Sequence, residues 1–323
     1  MNVLITSSGR RTTLTDMFVK AVHSRGGKVF AGDMDGLAPT LYMVDKAFKL
    51  PPVTDVSYIS FLVDLVREHR IDLIVPTIDT ELPILSKNMK LLKDVGAFPL
   101  VSAKTLVDCS CDKLLTFQIF KEAGFRTPRS WIPGDLKFSE LPDELFLKPR
   151  NGSASLHAYA VKKNDLSSML SKVPFPLIQE QIQGREITID ALLDLNGNPI
   201  HYVPRIRVRT VGGESIQGIT ISNSGMEKWF EKILLTIQSL GGIGPMTLQA
   251  FLVDEGDPIF FEINPRFGGG FPLGYAAGAD YPEWILQMIE GKRVFPRLGQ
   301  YKKGVYMTRY YKEIIVENPL WLI

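Results

Sequence analysis

Short apolar runs at Val3–Ile5, Val29–Ala31, Leu73–Val75 and Phe98–Val101 alternate with helical periodicity near Thr13–Ser24, Tyr58–His69 and Thr80–Lys93. Such runs read as buried strands, and strands separated by helices of this length predict a parallel sheet with helices on both faces. After Ser102 the pattern changes. Ser102 is placed to cap a short helix, and Asp112 a longer one that continues to Ala123 and is ended by Gly124. Pro128, Pro133 and Pro142 mark looped chain, and beyond Leu145 apolar positions alternate with period two between hairpin turns. The pattern predicts α/β architecture first and antiparallel α+β second, with no internal repeat.

Two hairpins fix which residues share a face. In the first, Asn196-Gly197 predicts a two-residue turn. That register sets Glu186 opposite Arg207 and Thr188 opposite Arg205. Ile187, Ile189 and Ala191 then face the core, and Glu186, Thr188 and Asp190 the other side. The polar row is either a wall around a nucleotide or a cross-strand ion-pair ladder worth little in solvent. In the second hairpin, a loop at Asp254–Asp257 sets Gln249 opposite Glu262, with Asn264 two residues along on the same face. Three oxygen donors on one patch suit Mg²⁺ or Mn²⁺, which also bind phosphate oxygens. Arg266 follows at once, suited to transferred phosphoryl charge. Outward polar residues of an ordinary hairpin are the competing reading. An acid among Phe260, Phe261 and Ile263 needs a partner, however, and a metal provides one.

Upstream, the strand ending at Phe146-Leu147-Lys148 delivers a lysine to the loop Pro149-Arg150-Asn151-Gly152-Ser153-Ala154-Ser155, with a second strand at His157–Val161. Small residues with free backbone N–H groups can close over phosphates while the lysine adds a point charge. The Walker A order is absent. So is the dinucleotide fingerprint: Thr6-Ser7-Ser8-Gly9-Arg10-Arg11 has one glycine where three are needed. Arg10 and Arg11 either meet an anion or stand on the surface. Asp33 and Asp35 follow the second strand, where open sheets bind ligands, or simply form a turn.

Composition narrows the classes. The 323 residues, 45% hydrophobic and 22% charged, suit a soluble protein of two or three domains. A net charge of +2 without basic runs excludes a nucleic-acid field. Arginines follow the N-terminal apolar run, the reverse of a secretory signal, and no apolar stretch would span a bilayer. A cytoplasmic protein without membrane contact is expected. Cys109 and Cys111 are too close to staple a fold and too few for zinc, so they read as reduced thiols. They lie outside the metal patch, and neither His157 nor His201 has an evident partner. No nucleophilic residue is required.

Lys148-Pro149 with its small-residue loop, Gln179-Glu180-Gln181-Ile182, Gly184-Arg185-Glu186, Gln249 and Glu262-Ile263-Asn264-Pro265-Arg266 occur in this order. Together they resemble the ATP-grasp superfamily over nearly the whole chain, and most closely one synthetase half of the carbamoyl phosphate synthase large subunit. The resemblance implies an α/β pre-grasp domain at 1–104, then two α+β lobes with antiparallel sheets. The small lobe, 105–180, would carry the phosphate lid; the large lobe, 181–323, would carry the metal site and a final strand after Gly304. By the same resemblance, Lys113 and Lys148 bind ATP phosphates, and Gly152, Ser153 and Ser155 belong to the lid. Glu180 and Ile182 meet adenine through their backbones, and Glu186 meets the ribose. Gln249, Glu262 and Asn264 hold Mg²⁺ or Mn²⁺. Arg266 and Arg207 join Lys148 as catalytic residues, with Arg205 and Arg209 also candidates for the acyl phosphate. Gly268-Gly269-Gly270-Phe271 either touches substrate or opens a helix. The lid has one glycine where many relatives have more, and the chain has one synthetase unit where the full large subunit has two.

The implied activity is ATP-dependent ligation of a small-molecule carboxylate to an amine or other nucleophile, with a homodimer left open. Two alternatives stand beside it. One is carbamoyl phosphate synthase-like phosphorylation of bicarbonate or carbamate; the other is a regulatory module that binds ATP without turnover. A nicotinamide dehydrogenase is a third, countered by the missing glycines.

Overall fold

The structure, a computed structural model, describes residues 1–152, 156–211 and 214–321. Its first hundred residues run β1 Val3–Thr6, α1 Thr12–His23, β2 Val29–Asp33, β3 Lys46–Lys49, α2 Tyr58–His69, β4 Leu73–Pro76, α3 Leu82–Lys87, α4 Met89–Asp94 and β5 Phe98–Pro99. All strand pairs are parallel, in the order β3-β2-β1-β4-β5. Leu4, Phe30 and Ile74 pack under α2 with Leu62 and Val66, while Val3, Ile5 and Val75 pack on the other face with α1. The expected sheet with helices on both faces is therefore present. β3, absent from the expected strands, is a short edge strand with lysines at both ends, which leaves almost no apolar signal in the sequence.

Next come α5 Lys104–Cys111 and α6 Lys113–Glu122. Asp112 caps α6 as expected, accepting from the N–H groups of Leu114 and Leu115. Ser102 is not a cap. Its hydroxyl donates to the Ile243 carbonyl and accepts from the Ile243 N–H, tying this segment to the large lobe. Leu106, Cys109, Phe120 and Phe125 share a core with Phe260 and Ile263. Both cysteines are free thiols.

The small sheet comprises β6 Ser130–Trp131, β7 Glu144–Pro149, β8 Tyr159–Lys162 and, after α7 Leu166–Leu170, β9 Pro176–Glu180, in the antiparallel order β6-β9-β7-β8. β8 starts later than expected because His157 turns the chain with a left-handed φ of 56°. The large lobe runs β10 Arg185–Leu193, β11 Pro199–Val211, β12 Glu214–Thr220, α8 Glu227–Ser239, β13 Gly244–Leu252, β14 Ile259–Asn264, α9 Phe271–Ala276, α10 Tyr281–Ile289 and β15 Tyr306–Thr308. Its six strands are antiparallel in the order β14-β13-β10-β11-β12-β15. The fold class is the expected one.

Both registers hold where the chemistry lies. Thr188 pairs with Arg205, although the Asn196-Gly197 connection is longer than two residues and the ladder shifts by one at Leu193. Gln249 pairs with Glu262 and Thr247 with Asn264. Nearer the loop, a bulge between Gln249 and Ala250 slips the register to Ala250–Phe260. The extra residue is Phe261, which the bulge turns from core to cleft. Its ring stacks on Phe251 at 4.6 Å while Phe260 stays fully buried.

Candidate functional site

The small sheet, the large sheet and the C-terminal ends of β1 and β4 enclose one cleft of about 710 Å³. Of the expected site residues that the structure describes, Lys113, Lys148, Gly152, Glu180, Ile182, Glu186, Arg205, Arg207, Gln249, Glu262, Asn264 and Arg266 line it, whereas Arg209 does not. Ser153 and Ser155 lie outside the described residues.

β7 carries Lys148 into the cleft at 7% exposure, over the Phe261 ring at 5.6 Å. Burial pushes its pKa down to about 8, reinforced by Lys113 and opposed by Glu262 and Glu186. Lys113, at the start of α6, donates to the Gly152 carbonyl at 2.5 Å, which ties the chain after β7 to that helix. Glu180 turns its carboxylate away to Arg129, accepting from Nε at 2.7 Å. Its neighbour Ile182 makes no backbone hydrogen bond among the described residues, so its amide and carbonyl are open to a ligand.

On the large sheet, Arg207 donates to Glu186 at 2.5 Å and Gln249 Nε2 donates to the same carboxylate oxygen at 3.0 Å. Asn264 donates to Glu262 at 3.0 Å. Arg266 reaches across to the first domain, donating to Asp79 at 2.7 Å. Arg205 lies deeper, with Asp190: Nε donates to Oδ2 at 2.8 Å, and both side chains are 2% exposed. The polar row on β10 and β11 is thus partly cleft wall and partly a buried pair, not a solvent ladder. Gly268, Gly269 and Gly270 line the cleft and also precede α9. A methyl on Gly270 would sit 2.4 Å from Arg205 Nη1, so only glycine fits between the loop and that guanidinium.

Other expectations change. Asp33 and Asp35 are turn formers: Asp33 accepts from the N–H of Gly9 and of Asp35, and Asp35 from that of Leu37. His201 has partners after all, Tyr281 Oη at 3.1 Å and the Gln300 carbonyl at 2.9 Å, and is buried below the large sheet. The reading by residue pattern missed Asp79, Glu214, Phe251 and Phe261 in the cleft. Asp79 carried no signal because its partner, Arg266, is 187 residues away.

Among the described residues no three His, Cys, Asp or Glu side chains gather as a metal centre. The Gln249–Glu262–Asn264 patch offers one carboxylate and two amide oxygens. That donor set fits a hard cation whose remaining ligands are water and phosphate oxygens, the usual arrangement for Mg²⁺. Among the described residues no helix is long and apolar enough to cross a membrane.

Residues 3–100 match a family model described as PylC-like, N-terminal domain, and residues 172–312 one described as ATP-grasp in the biosynthetic pathway with Ter operon. The chain has the ATP-grasp fold. Among solved structures it superposes on the biotin carboxylase domain dimer of Hydrogenobacter thermophilus 2-oxoglutarate carboxylase, in complex with MgADP, ADP and bicarbonate. The TM-score is 0.77 at 18% identity, over 94% of this chain and 73% of that one. Staphylococcus aureus N5-carboxyaminoimidazole synthetase complexed with ADP gives a TM-score of 0.74 at 16% identity, over 94% and 79%. The L-amino acid ligase of Bacillus licheniformis gives 0.69 at 22% identity, over 88% and 73%. No curated protein matches by sequence. In this ATP-grasp fold the cleft lies between the two antiparallel sheets and is closed at one end by the parallel-sheet domain.

Proposed function

We propose that this chain is an ATP-dependent ligase that activates a carboxylate as an acyl phosphate and joins it to an amine. One observation carries the reading: a single cleft gathers a desolvated lysine, an oxygen-donor patch and an arginine that follows that patch by two residues. Lys148 and Lys113 hold the ATP phosphates, with the segment from Gly152 through Ser153 and Ser155 as the lid. The open backbone at Ile182 and that of Glu180 meet adenine, and Glu186 meets the ribose hydroxyls. Gln249, Glu262 and Asn264 would hold Mg²⁺ or Mn²⁺, which when bound offsets charge on the phosphate oxygens. A carboxylate oxygen attacks the γ-phosphorus, the bond to the β–γ bridging oxygen breaks, and ADP leaves. The amine nitrogen then attacks the acyl carbon, the C–O bond to phosphate breaks, and the nitrogen releases its proton. Arg266 and Arg207 neutralise the transferring phosphoryl group; positioning and charge do the rest.

The nucleotides in the Hydrogenobacter and Staphylococcus complexes support ATP as substrate, and the dimeric Hydrogenobacter domain supports a homodimer here. The bicarbonate in the former also favours the carbamoyl phosphate synthase-like reading as the second choice. The test is ADP release from MgATP across a panel of carboxylates and amines, bicarbonate with ammonia included, with hydroxylamine as a trap for acyl phosphate. Hydroxamate from one carboxylate establishes activation and names the donor. Turnover on bicarbonate alone selects the second reading, and failure to bind MgATP sinks both.

Lys148 gives a pH signature. ATP phosphates stabilise its charged form, so its pKa is higher in the complex than the value of about 8 in the empty cleft. Lysine's contribution to binding is therefore complete below that pH and lost above it. MgATP affinity, followed by calorimetry, is expected to be flat from pH 6.5 to 7.5 and then to fall by up to about tenfold per pH unit, with proton uptake on binding. In Lys148→Met the slope disappears; a slope that persists assigns the titration elsewhere.

A further inference from the structure

The end of the cleft formed by the parallel-sheet domain has features that ATP and its phosphates leave unused. Arg11, just ahead of α1, points across to the glycine loop of the large lobe, where a methyl on Gly269 would lie 2.9 Å from its Nη1. Three other arginines of the cleft are paired: Arg205 with Asp190, Arg207 with Glu186 and Arg266 with Asp79. The guanidinium of Arg11 makes no hydrogen bond or ion pair with any described residue. Desolvation, and then the nearby Arg266, push its pKa down to about 10, against the opposing pull of the Glu214 and Asp79 carboxylates. An unpaired cation held here is costly unless an anion joins it.

The turn that presents Arg11 is rigid. Ser7 and Gly9 both take left-handed φ values of 48°. The Gly9 N–H donates to Asp33 at 2.7 Å, and Thr77 Oγ1 donates to the Ser7 carbonyl at 2.5 Å. Beneath the turn, the fully buried Glu81 accepts from Ser7 at 2.9 Å and from Tyr58 at 2.7 Å. These ties fix the backbone from which Arg11 projects, which lowers the ordering a ligand would have to impose.

Acidic groups face the same space. Asp79 spends Oδ2 on Arg266, while its Oδ1 is buried without a hydrogen-bond partner among the described residues. Glu214 lines the cleft and is held by Arg309 at 3.1 Å. A phosphate or bicarbonate ion would satisfy Arg11 but be repelled by the Asp79 and Glu214 carboxylates and leave Asp79 Oδ1 without a donor. A bare amine would do the opposite. A molecule with both a carboxylate and an amino group satisfies both.

We propose that the amine substrate is an amino acid, its carboxylate bound by Arg11 and its amino group beside Asp79. This rests on the ligase reading and narrows it: ammonia is not the acceptor. Each of the twenty proteinogenic amino acids, and the carboxamide of each, is titrated into the protein with MgADP and followed by calorimetry. At least one amino acid is expected to bind, with its carboxamide about 10–100-fold weaker, the loss that accompanies a missing charge-assisted hydrogen-bond pair. Arg11→Gln weakens that amino acid by a similar factor, and Arg11→Lys restores part of it. No amino acid binding in a protein that binds MgATP overturns the proposal, as do carboxamides that bind equally well or an Arg11→Gln protein with unchanged affinity. Should Arg11→Gln fail to fold, the acid–amide comparison on the unaltered protein still decides. Absence of MgATP binding would instead fell the ligase reading, so the two failures are distinct.

Discussion

Asp190→Ala is expected to lower the unfolding free energy by about 3–5 kcal/mol, the cost of leaving a buried guanidinium without its carboxylate. The pair it breaks is nearly sealed: Arg205 and Asp190 are each 2% exposed, and Arg205 Nη2 adds a second contact to Asp190 at 3.3 Å. Arg205 Nη1 already has no partner among the described residues, so loss of Asp190 leaves the whole cation unsatisfied. The surroundings are close-fitting. The glycine loop closes over the guanidinium at Gly270, and a methyl at Gly274 would lie 3.0 Å from Asp190 Oδ2. Urea unfolding at constant slope reads the shift in midpoint. The double variant Asp190→Ala, Arg205→Met removes both charges and is expected to recover most of the loss, because an apolar replacement of a buried pair is often neutral or better. If Asp190→Ala alone costs less than about 1 kcal/mol, the range of an exposed pair, water reaches the site and the buried reading is wrong.

This pair shows where residue pattern suffices and where it stops. Period-two alternation and the Asn196-Gly197 turn set Thr188 opposite Arg205, and that pairing is found. Pattern does not say what lies above the strand. Whether Arg205 faces solvent or a glycine loop depends on Gly270, 65 residues later in the chain, and on α9 beyond it. Depth is a tertiary property. The second hairpin teaches a related lesson. Gln249 pairs with Glu262 as the alternation implies, yet the bulge beside them moves Phe261 to the cleft face, and a strict period of two hides that. Ser102 fails as a cap for a simpler reason: Ile243 offers its hydroxyl both a donor and an acceptor. Arg11 and Asp79 follow the neighbouring strands β1 and β4, and only the docking of the first domain on the large lobe brings Glu214 to them, so no local spacing announces the group. The described site residues of the ATP-grasp motifs lie on the cleft walls because those motifs are local. The end of the cleft at the first domain has no local motif.

Glu262→Gln is expected to abolish turnover while leaving the fold intact. With the carboxylate that supports hydroxamate formation, the rate should fall by about 10²–10³-fold or more, the scale on which removing one element of transition-state charge stabilisation is felt. The substitution keeps size and hydrogen-bonding shape but removes the only carboxylate of the Gln249–Glu262–Asn264 patch. Its structural cost is small, since the side chain is half-buried and accepts from the Asn264 amide, a hydrogen bond that a glutamine oxygen can still accept. A purely structural Glu262 would therefore leave the rate close to normal, and that outcome sinks its role. The same variant carries an internal check. Glu262 opposes the desolvation that lowers the Lys148 pKa, so its neutralisation lowers that pKa further. MgATP affinity in Glu262→Gln should then begin to fall at a lower pH than in the unaltered protein. Lost turnover together with this acid shift places Glu262 and Lys148 around one nucleotide; lost turnover with an unmoved profile separates them.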